Sequence, residues 1–429
     1  GGGKSVELLR RVIPDCRYTV SLWCLVLTAL CAGPLQAQDG AKMTLVHYMP
    51  WFSSEPVSGD WGWHWTMNHF NPEKINKDGQ REVASNGYPL IGPYDSNDGQ
   101  TLECHVLLMK FAGIQGVVID WYGIEDFRDY AAIHRNTQHM IEYIKKAELQ
   151  FAICYEDQTV KHMIEGKFLQ KQEDHTHGKK VLQWLDNNWF SDDAYIKLDD
   201  QPVLLVFGPQ YFKAEQWDHM MLGLSKRPRL YGLPHLLQET KTSGVFGWPP
   251  VSGGGEVVPA VWKEYLCQLY TKGSTEEAVI AVAFPGFHDI YEEVGLHKSI
   301  GYIDDQAGKT FIETFERAWN SKSQFIQIAT WNDYGEGTVI EPTKSFKYQY
   351  LEEVQKYTQT CFSQNDLQLP VILYELKKKH MKNTAVMEDL KQVSSLLFSS
   401  KCDEARALLQ QYLVINGRQN HTTDDNNLH

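Results

Sequence analysis

Positive charge is scarce in this chain, and that scarcity excludes several functions. Its 429 residues carry 41 Lys and Arg against 54 Asp and Glu, a formal charge of −13. No basic stripe interrupts the acidic balance, so neither nucleic acid nor an anionic membrane is an expected partner. Cysteine is sparse as well. Beyond residue 37 only Cys104, Cys154, Cys267, Cys361 and Cys402 remain, odd in number and widely spaced. That is neither a disulfide scaffold nor a zinc pattern, and no cofactor or metal is expected. "DSNDGQ" (95–100) resembles part of a calcium loop, but its glycine falls fifth and no Glu stands twelfth. Long apolar runs are missing after residue 37, so the mature protein is expected to have no membrane span and to be a monomer.

Residues 1–37 read as a leader. Arg10, Arg11 and Arg17 precede the apolar "YTVSLWCLVLTALCAG", and "PLQA" offers a small-residue cleavage point. At about 15 residues the apolar core is short for a span, so export to the periplasm, cell surface or exterior is preferred over a membrane anchor. Removing four basic and two acidic residues moves the formal charge from −13 to −15. What is abundant is aromatic: 13 Trp and 21 Tyr. Aromatic faces combined with acids suit a neutral, polar, ring-shaped ligand such as a carbohydrate.

Eight apolar, β-branched runs recur at 44–50, 113–122, 150–156, 201–208, 227–233, 242–248, 278–286 and 323–332. Amphipathic stretches at 98–113, 128–148 and 308–322 lie between them. Continuous apolar strands alternating with helices predict a parallel sheet covered on both faces. Eight units fit an α/β fold of the (β/α)8 TIM-barrel type. A doubly wound sheet is the alternative, but no Gly-x-Gly-x-x-Gly follows the first strand. The predicted organisation is a barrel over 38–360, a C-terminal helical appendage over 361–416 and a disordered tail over 417–429. The appendage is read as a buttress in preference to a partner-binding element. Two long loops interrupt the barrel, 51–97 with "WGWHW" and 248–262 with "WPPVSGGGEVVPAVW"; loops of that length are usually functional.

Catalytic residues of such barrels sit at the carboxyl ends of strands. Those positions here are acids and aromatics: Tyr48, Asp120, Trp121, Tyr122, Glu156, Tyr211, Trp248, His288, Trp331, Asp333 and Glu336. Two carboxyl groups serve glycoside cleavage, one protonated to release the leaving oxygen and one ionised to assist attack. Asp333 and Glu336, three apart, are the candidate pair, and mutual repulsion with burial would keep one protonated.

"TWNDYGEGTVIEP" (330–342) resembles the signature of glycoside hydrolase families 99 and 71. "HYMPWF" (47–52), "GYPLIGPYDSND" (87–98), "GVVIDWYG" (116–123) and "CYED" (154–157) are similar to further blocks of that group, in matching order. The resemblance spans roughly residues 44–345. It implies a retaining glycosidase without an enzyme nucleophile: one carboxylate takes the proton of the substrate's own 2-hydroxyl, which attacks the anomeric carbon. By position it makes Glu336 the general acid and Asp333 the base, with Glu156 and Tyr48 contacting the sugar. Asp333 stands where family 99 has a Glu, one methylene longer, and the "WNDYGE" half is closer to family 71. The resemblance therefore leaves α-mannoside and α-glucan both open as the oligo- or polysaccharide substrate. A catalytically inactive carbohydrate-binding barrel is the alternative, and a nucleophile at Glu156 a further one. Glu341 is expected to anchor its loop through backbone N–H groups.

Overall fold

The computed structural model describes residues 42–272 and 278–422; the leader expected over residues 1–37 lies outside them. Eight parallel strands form the barrel: β1 (Met43–Tyr48), β2 (Gly116–Trp121), β3 (Gln150–Tyr155), β4 (Gln201–Val206), β5 (Arg229–Gly232), β6 (Gly244–Phe246), β7 (Val279–Ala283) and β8 (Phe325–Ile328). Each pairs with the next, and β1 closes the ring on β8 through Met43↔Phe325 to Val46↔Ile328. The β3–β4 pairing runs Ile153↔Leu204 to Tyr155↔Val206. Seven of the predicted runs contain one of these strands, and the run 44–50 overlaps β1, which begins one residue earlier at Met43. Each strand is shorter than its run, because the chain peels away at the carboxyl end into the loops that hold the acids. β-branched and apolar residues face both the barrel interior and the helical layer, so the strands are buried along their length.

The helices on the outer face include α1 (Gly99–Ala112), α2 (Tyr130–Lys146), α3 (Asp174–Leu185), α4 (Ala214–Met220), α5 (Pro259–Lys272) and α6 (Lys309–Trp319). α5 begins inside the loop expected to run to 262. α1 shows how local signals place an element. Asp98 caps its start by accepting a hydrogen bond from the Gln100 N–H at 3.0 Å. Gly113 ends it at φ +82, where a Cβ would also strike Thr358. The neighbouring acid of "DSNDGQ" is likewise committed: Asp95 accepts from the Ser54 N–H at 2.8 Å and the Ser58 hydroxyl at 2.7 Å.

Beyond α7 (Gln349–Thr358) come α8 (Gln368–Lys379), α9 (Thr384–Phe398) and α10 (Cys402–Thr422). Leu373, Leu376, Val393 and Leu397 belong to the same buried core as the barrel strands and α1. Lys377 reaches across to Glu103 of α1 at 2.7 Å and to Ser394 at 2.7 Å. Removing one partner of such a buried pair costs on the order of 3–5 kcal/mol. The appendage is therefore a buttress that shares the barrel's core. Its last helix passes residue 417, where disorder was expected to begin; residues 423–429 lie outside the described residues.

Candidate active site

The loop after β8 is folded back on itself. The Thr330 N–H donates to Thr338 O at 2.6 Å, and Ile340 N–H to Thr330 O at 3.0 Å. Asn332 pins it to the first strand: its Oδ1 accepts from the Met49 N–H at 2.8 Å, and its Nδ2 donates to Met49 O at 3.1 Å. The loop after β7 holds the other side, with the His288 N–H on Glu336 O at 2.9 Å and the Ile290 N–H on Gly335 O at 3.0 Å. Gly337 is required here. Its φ is +70, and a Cβ would lie 2.6 Å from His288 O. The "GEG" turn thus presents Asp333 and Glu336 on a rigid mount.

Both acids face a cavity of about 210 Å3 that Asp120 and Glu156 also line. No Lys or Arg is among its lining residues. Burial raises Asp333 to about 7, with the Asp120 and Glu156 charges adding to it and the Glu336 N–H opposing. Glu336 is raised well above the usual carboxylate range, by burial first and then by the Asp333 charge. Its Oε1 accepts from the Tyr291 hydroxyl at 3.1 Å. Burial likewise raises Asp120 to about 7 and Glu156 well above its ordinary value. A second cavity, of about 640 Å3 and lined largely by aromatic and proline side chains, adjoins the first; Phe207, Trp248 and Glu336 line both. A carboxylic acid kept protonated at the junction of two cavities can protonate a leaving oxygen between them, and an ionised neighbour can take a hydroxyl proton.

Residues 40–230 match the sequence family described as Glycosyl hydrolase family 99. Residues 240–368 match one described as a Domain of unknown function (DUF5010). The Glycoprotein endo-alpha-1,2-mannosidase-like protein of Homo sapiens is 21% identical over 363 residues, covering 71% of this chain and 70% of that protein. Its counterpart in Mus musculus is 20% identical over 371 residues, covering 72% and 73%. The solved structure of the GH99 endo-alpha-mannosidase from Bacteroides thetaiotaomicron shares the fold, with a TM-score of 0.55 and 18% identity over 74% of this chain and 96% of that one. The chain thus resembles glycoside hydrolase family 99 over residues 40–230 and shares the fold of a solved family 99 structure.

Of the residues expected at its site, Asp120, Tyr122, Glu156, Trp248, Asp333 and Glu336 line the smaller cavity. Tyr211 lines the larger one, its hydroxyl donating to Asp174 at 2.6 Å. Four others fall elsewhere. Tyr48 is fully buried, bonded to His105 of α1 at 2.8 Å. Trp121, the last residue of β2, is buried on the outer side of the strand, its Nε1 donating to His134 at 3.1 Å and its ring packed on Trp189. Trp331 is buried beside His105. The reason is the period-two alternation of strands: His47 and Asp120 project inward, so Tyr48 and Trp121 project outward. His288 is exposed, stands edge-on to Tyr302, and serves Glu336 only through its backbone.

Glu341 does anchor its loop, but through side chains. Its Oε1 accepts from the Tyr94 and Tyr334 hydroxyls at 2.6 and 3.0 Å, and its Oε2 lies 2.9 Å from His105 Nε2. "WGWHW" does two things at once. Trp65 is wholly buried against Phe52 and Tyr334, while Trp63 and His64 line the smaller cavity. His64 stacks on Trp51 at 4.2 Å. Tyr291 is absent from the expected set and has no spacing signal. His47, a strand-end residue beside Tyr48, points inward to Asp120 and Gln327 but is not among the cavity's lining residues.

Proposed function

We propose that this family 99-like glycosidase cleaves an α-linked glycan, an α-mannoside or an α-glucan, across the two adjoining cavities. Glu336 is the general acid and Asp333 the base. The observation that carries this is geometric. Both acids stand on one rigid turn and face a cavity that Asp120 and Glu156 also line, with no Lys or Arg among its lining residues; Glu336 lies where the two cavities meet. Burial and repulsion from neighbouring acids raise both above the usual carboxylate range, which favours one proton shared between them, the state that acid–base cleavage needs. In the retaining route implied by the family resemblance, Asp333 takes the proton of the sugar's 2-hydroxyl, whose oxygen attacks the anomeric carbon. Glu336 gives its proton to the departing oxygen. Water then opens the anhydrosugar, losing one proton to Glu336 as Asp333 returns the other to the 2-oxygen. The aromatic walls supply stacking faces for sugar rings. Export is part of this proposal, supported by the basic-then-apolar pattern of residues 1–37.

The test is product release from α-mannans, α-1,3-glucans and aryl α-glycosides, with wild type beside Glu336→Gln and Asp333→Asn. Cleavage by wild type that collapses in both variants supports the proposal and names the sugar. One observation favours the inactive, glycan-binding alternative: Asp333 Oδ1 is already engaged by the Glu336 N–H at 3.1 Å. Glycan binding by calorimetry without any cleavage would establish that alternative.

A further inference from the structure

The barrel mouth is divided by chemistry. Asp120 and Glu156, from β2 and the end of β3, line the smaller cavity but not the larger, as does Asp333. The larger cavity is walled by the stretches after β4, β5, β6 and β7, with Phe207, Phe212, Leu233, Pro249, Val251 and Phe287 in its lining. The hydroxyls in that wall are engaged within the protein. Tyr211 donates to Asp174 at 2.6 Å, Thr240 donates to Leu236 O at 2.8 Å, and the Tyr265 oxygen accepts from the Trp248 N–H at 3.2 Å. Gln210, Lys213, His235 and Glu239 are exposed and stay hydrated. Apolar side chains also stand exposed on the same stretches: Leu237 after β5, Val258 after β6 and Leu296 after β7. Exposed apolar surface beside a cavity marks a place where an apolar group binds.

Glu336, which lines both cavities, decides what the larger one receives. As the general acid it must stand beside the oxygen that departs, and Asp333, as the base, beside the 2-hydroxyl of the ring being cleaved. The ring therefore belongs in the smaller cavity and the departing group in the larger. A second sugar ring there would turn hydroxyls toward walls whose own hydroxyls are already spent, and a buried hydroxyl without a partner costs free energy. An apolar group gains by the same burial. We propose that the substrate is an α-glycoside of an apolar alcohol, its sugar in the smaller cavity and its alkyl or aryl aglycone in the larger. The step needs no further reactant. The bond from the anomeric carbon to the aglycone oxygen breaks as the 2-oxygen attacks, and the Glu336 proton passes to that oxygen, so a neutral alcohol leaves. Leu236 and Val251, both half-buried in the wall, are the residues that select the departing group. The inference rests on the acid–base reading of Glu336 and Asp333 and narrows it, placing an apolar leaving group where a polysaccharide would place its next sugar.

The test compares α-mannosides and α-glucosides that differ only in the departing group. One arm carries butyl, hexyl and octyl chains, a second carries 4-methyl-, 4-butyl- and 4-hexylphenyl rings, and a third carries a second sugar, each used below its micelle concentration. Lengthening a chain hardly changes the acidity of the departing alcohol, so the trend within an arm reads contact. In wild type kcat/KM is expected to rise about three- to fourfold per added methylene until the cavity is filled, and the octyl glycoside to exceed the disaccharide. Where a glycoside binds uncleaved, the dissociation constant by calorimetry should follow the same trend. A rise in either arm supports the proposal, and the arm that rises tells a chain from a ring. Val251→Asn should flatten the rise, with Leu236→Asn as a second variant and melting temperatures as the check on folding. A disaccharide cleaved by wild type with no gain along either series would overturn the inference and leave the acid–base reading standing. A rise unaltered in both folded variants would place the contact outside this cavity and overturn it too. No cleavage and no binding of any of these glycosides would overturn the glycosidase reading itself, and the inference with it.

Discussion

Two buried carboxylate clusters lie within nine residues of each other after β8, and they are built to opposite ends. Around Glu341, both oxygens are taken: Tyr94 and Tyr334 bond one and His105 the other, and His105 passes the chain on to Tyr48. Glu341, His105, Tyr48, Tyr94 and Tyr334 all have partners in this network, although the indole N–H of Trp331 beside His105 has none. Around Asp333 and Glu336 partners are few. Asp333 has a turn N–H, Glu336 has Tyr291, and the rest of each carboxyl group faces the cavity. Burial without full satisfaction is what lifts these acids, and it also leaves them free to meet a substrate. The lesson is that equal burial says little. The supply of donors separates an acid whose oxygens are all engaged from one whose oxygens stay open to a cavity.

Four measurements would sharpen or break this contrast. The largest effect belongs to Glu336→Gln, which should lower kcat/KM on a glycan with a poor leaving group by about 1,000-fold, within the usual range for general acid catalysis. Its melting temperature should not fall; loss of activity together with loss of the fold would place Glu336 in the structural class. Next is Glu341→Ala, expected to cost about 3 kcal/mol of stability in chemical denaturation because it strands His105 and two tyrosines in the core. A variant as stable as wild type would show that the network does not carry the loop. Third is the pH–rate profile of kcat/KM. Asp333 must be ionised, so the rate should fall as pH drops through about 7. Glu336 must be protonated, so the rate should fall again only well above the usual carboxylate range. An acid limb near 4 would remove Asp333 from the base's role.

The smallest effect is on stability. Asp333, raised to about 7, holds a proton in the folded state that the unfolded chain has already released. Its contribution is present below the ordinary carboxylate pKa and lost as pH rises through 7. His47, lowered to about 4, acts in the opposite sense between there and 6.5. Asp333→Asn, which keeps the turn N–H acceptor and removes the charge, should raise the melting temperature by about 2 °C at pH 8. At pH 3, below the ordinary carboxylate pKa, it should change it little. Equal shifts at both values would mean that the charge is not the cause.

The barrel was legible because its strands are continuous apolar runs, a pattern that survives any uncertainty about their ends. The acids were legible because strand ends are where such barrels keep their chemistry. Facing was harder. Tyr48 and Trp121 sit one residue from His47 and Asp120, and a shift of one residue moves a side chain to the other side of the sheet. Tyr291, Trp63 and His64 come from loops whose course is set by distant partners: Glu336 holds the Tyr291 hydroxyl and Trp51 stacks on His64. No local pattern encodes those meetings. The appendage's charged helices showed their period but not their destination, which depends on Lys377 finding Glu103 more than 270 positions away.

The ring closes by laying its last strand beside its first, and the four acids are divided two and two across the chain. Asp120 and Glu156 lie in the stretch matched by the family 99 model, and Asp333 and Glu336 in the stretch matched by the model of a domain of unknown function. A chain cut between the two stretches would part the four acids two and two, and neither piece alone would hold the cavity that they line together.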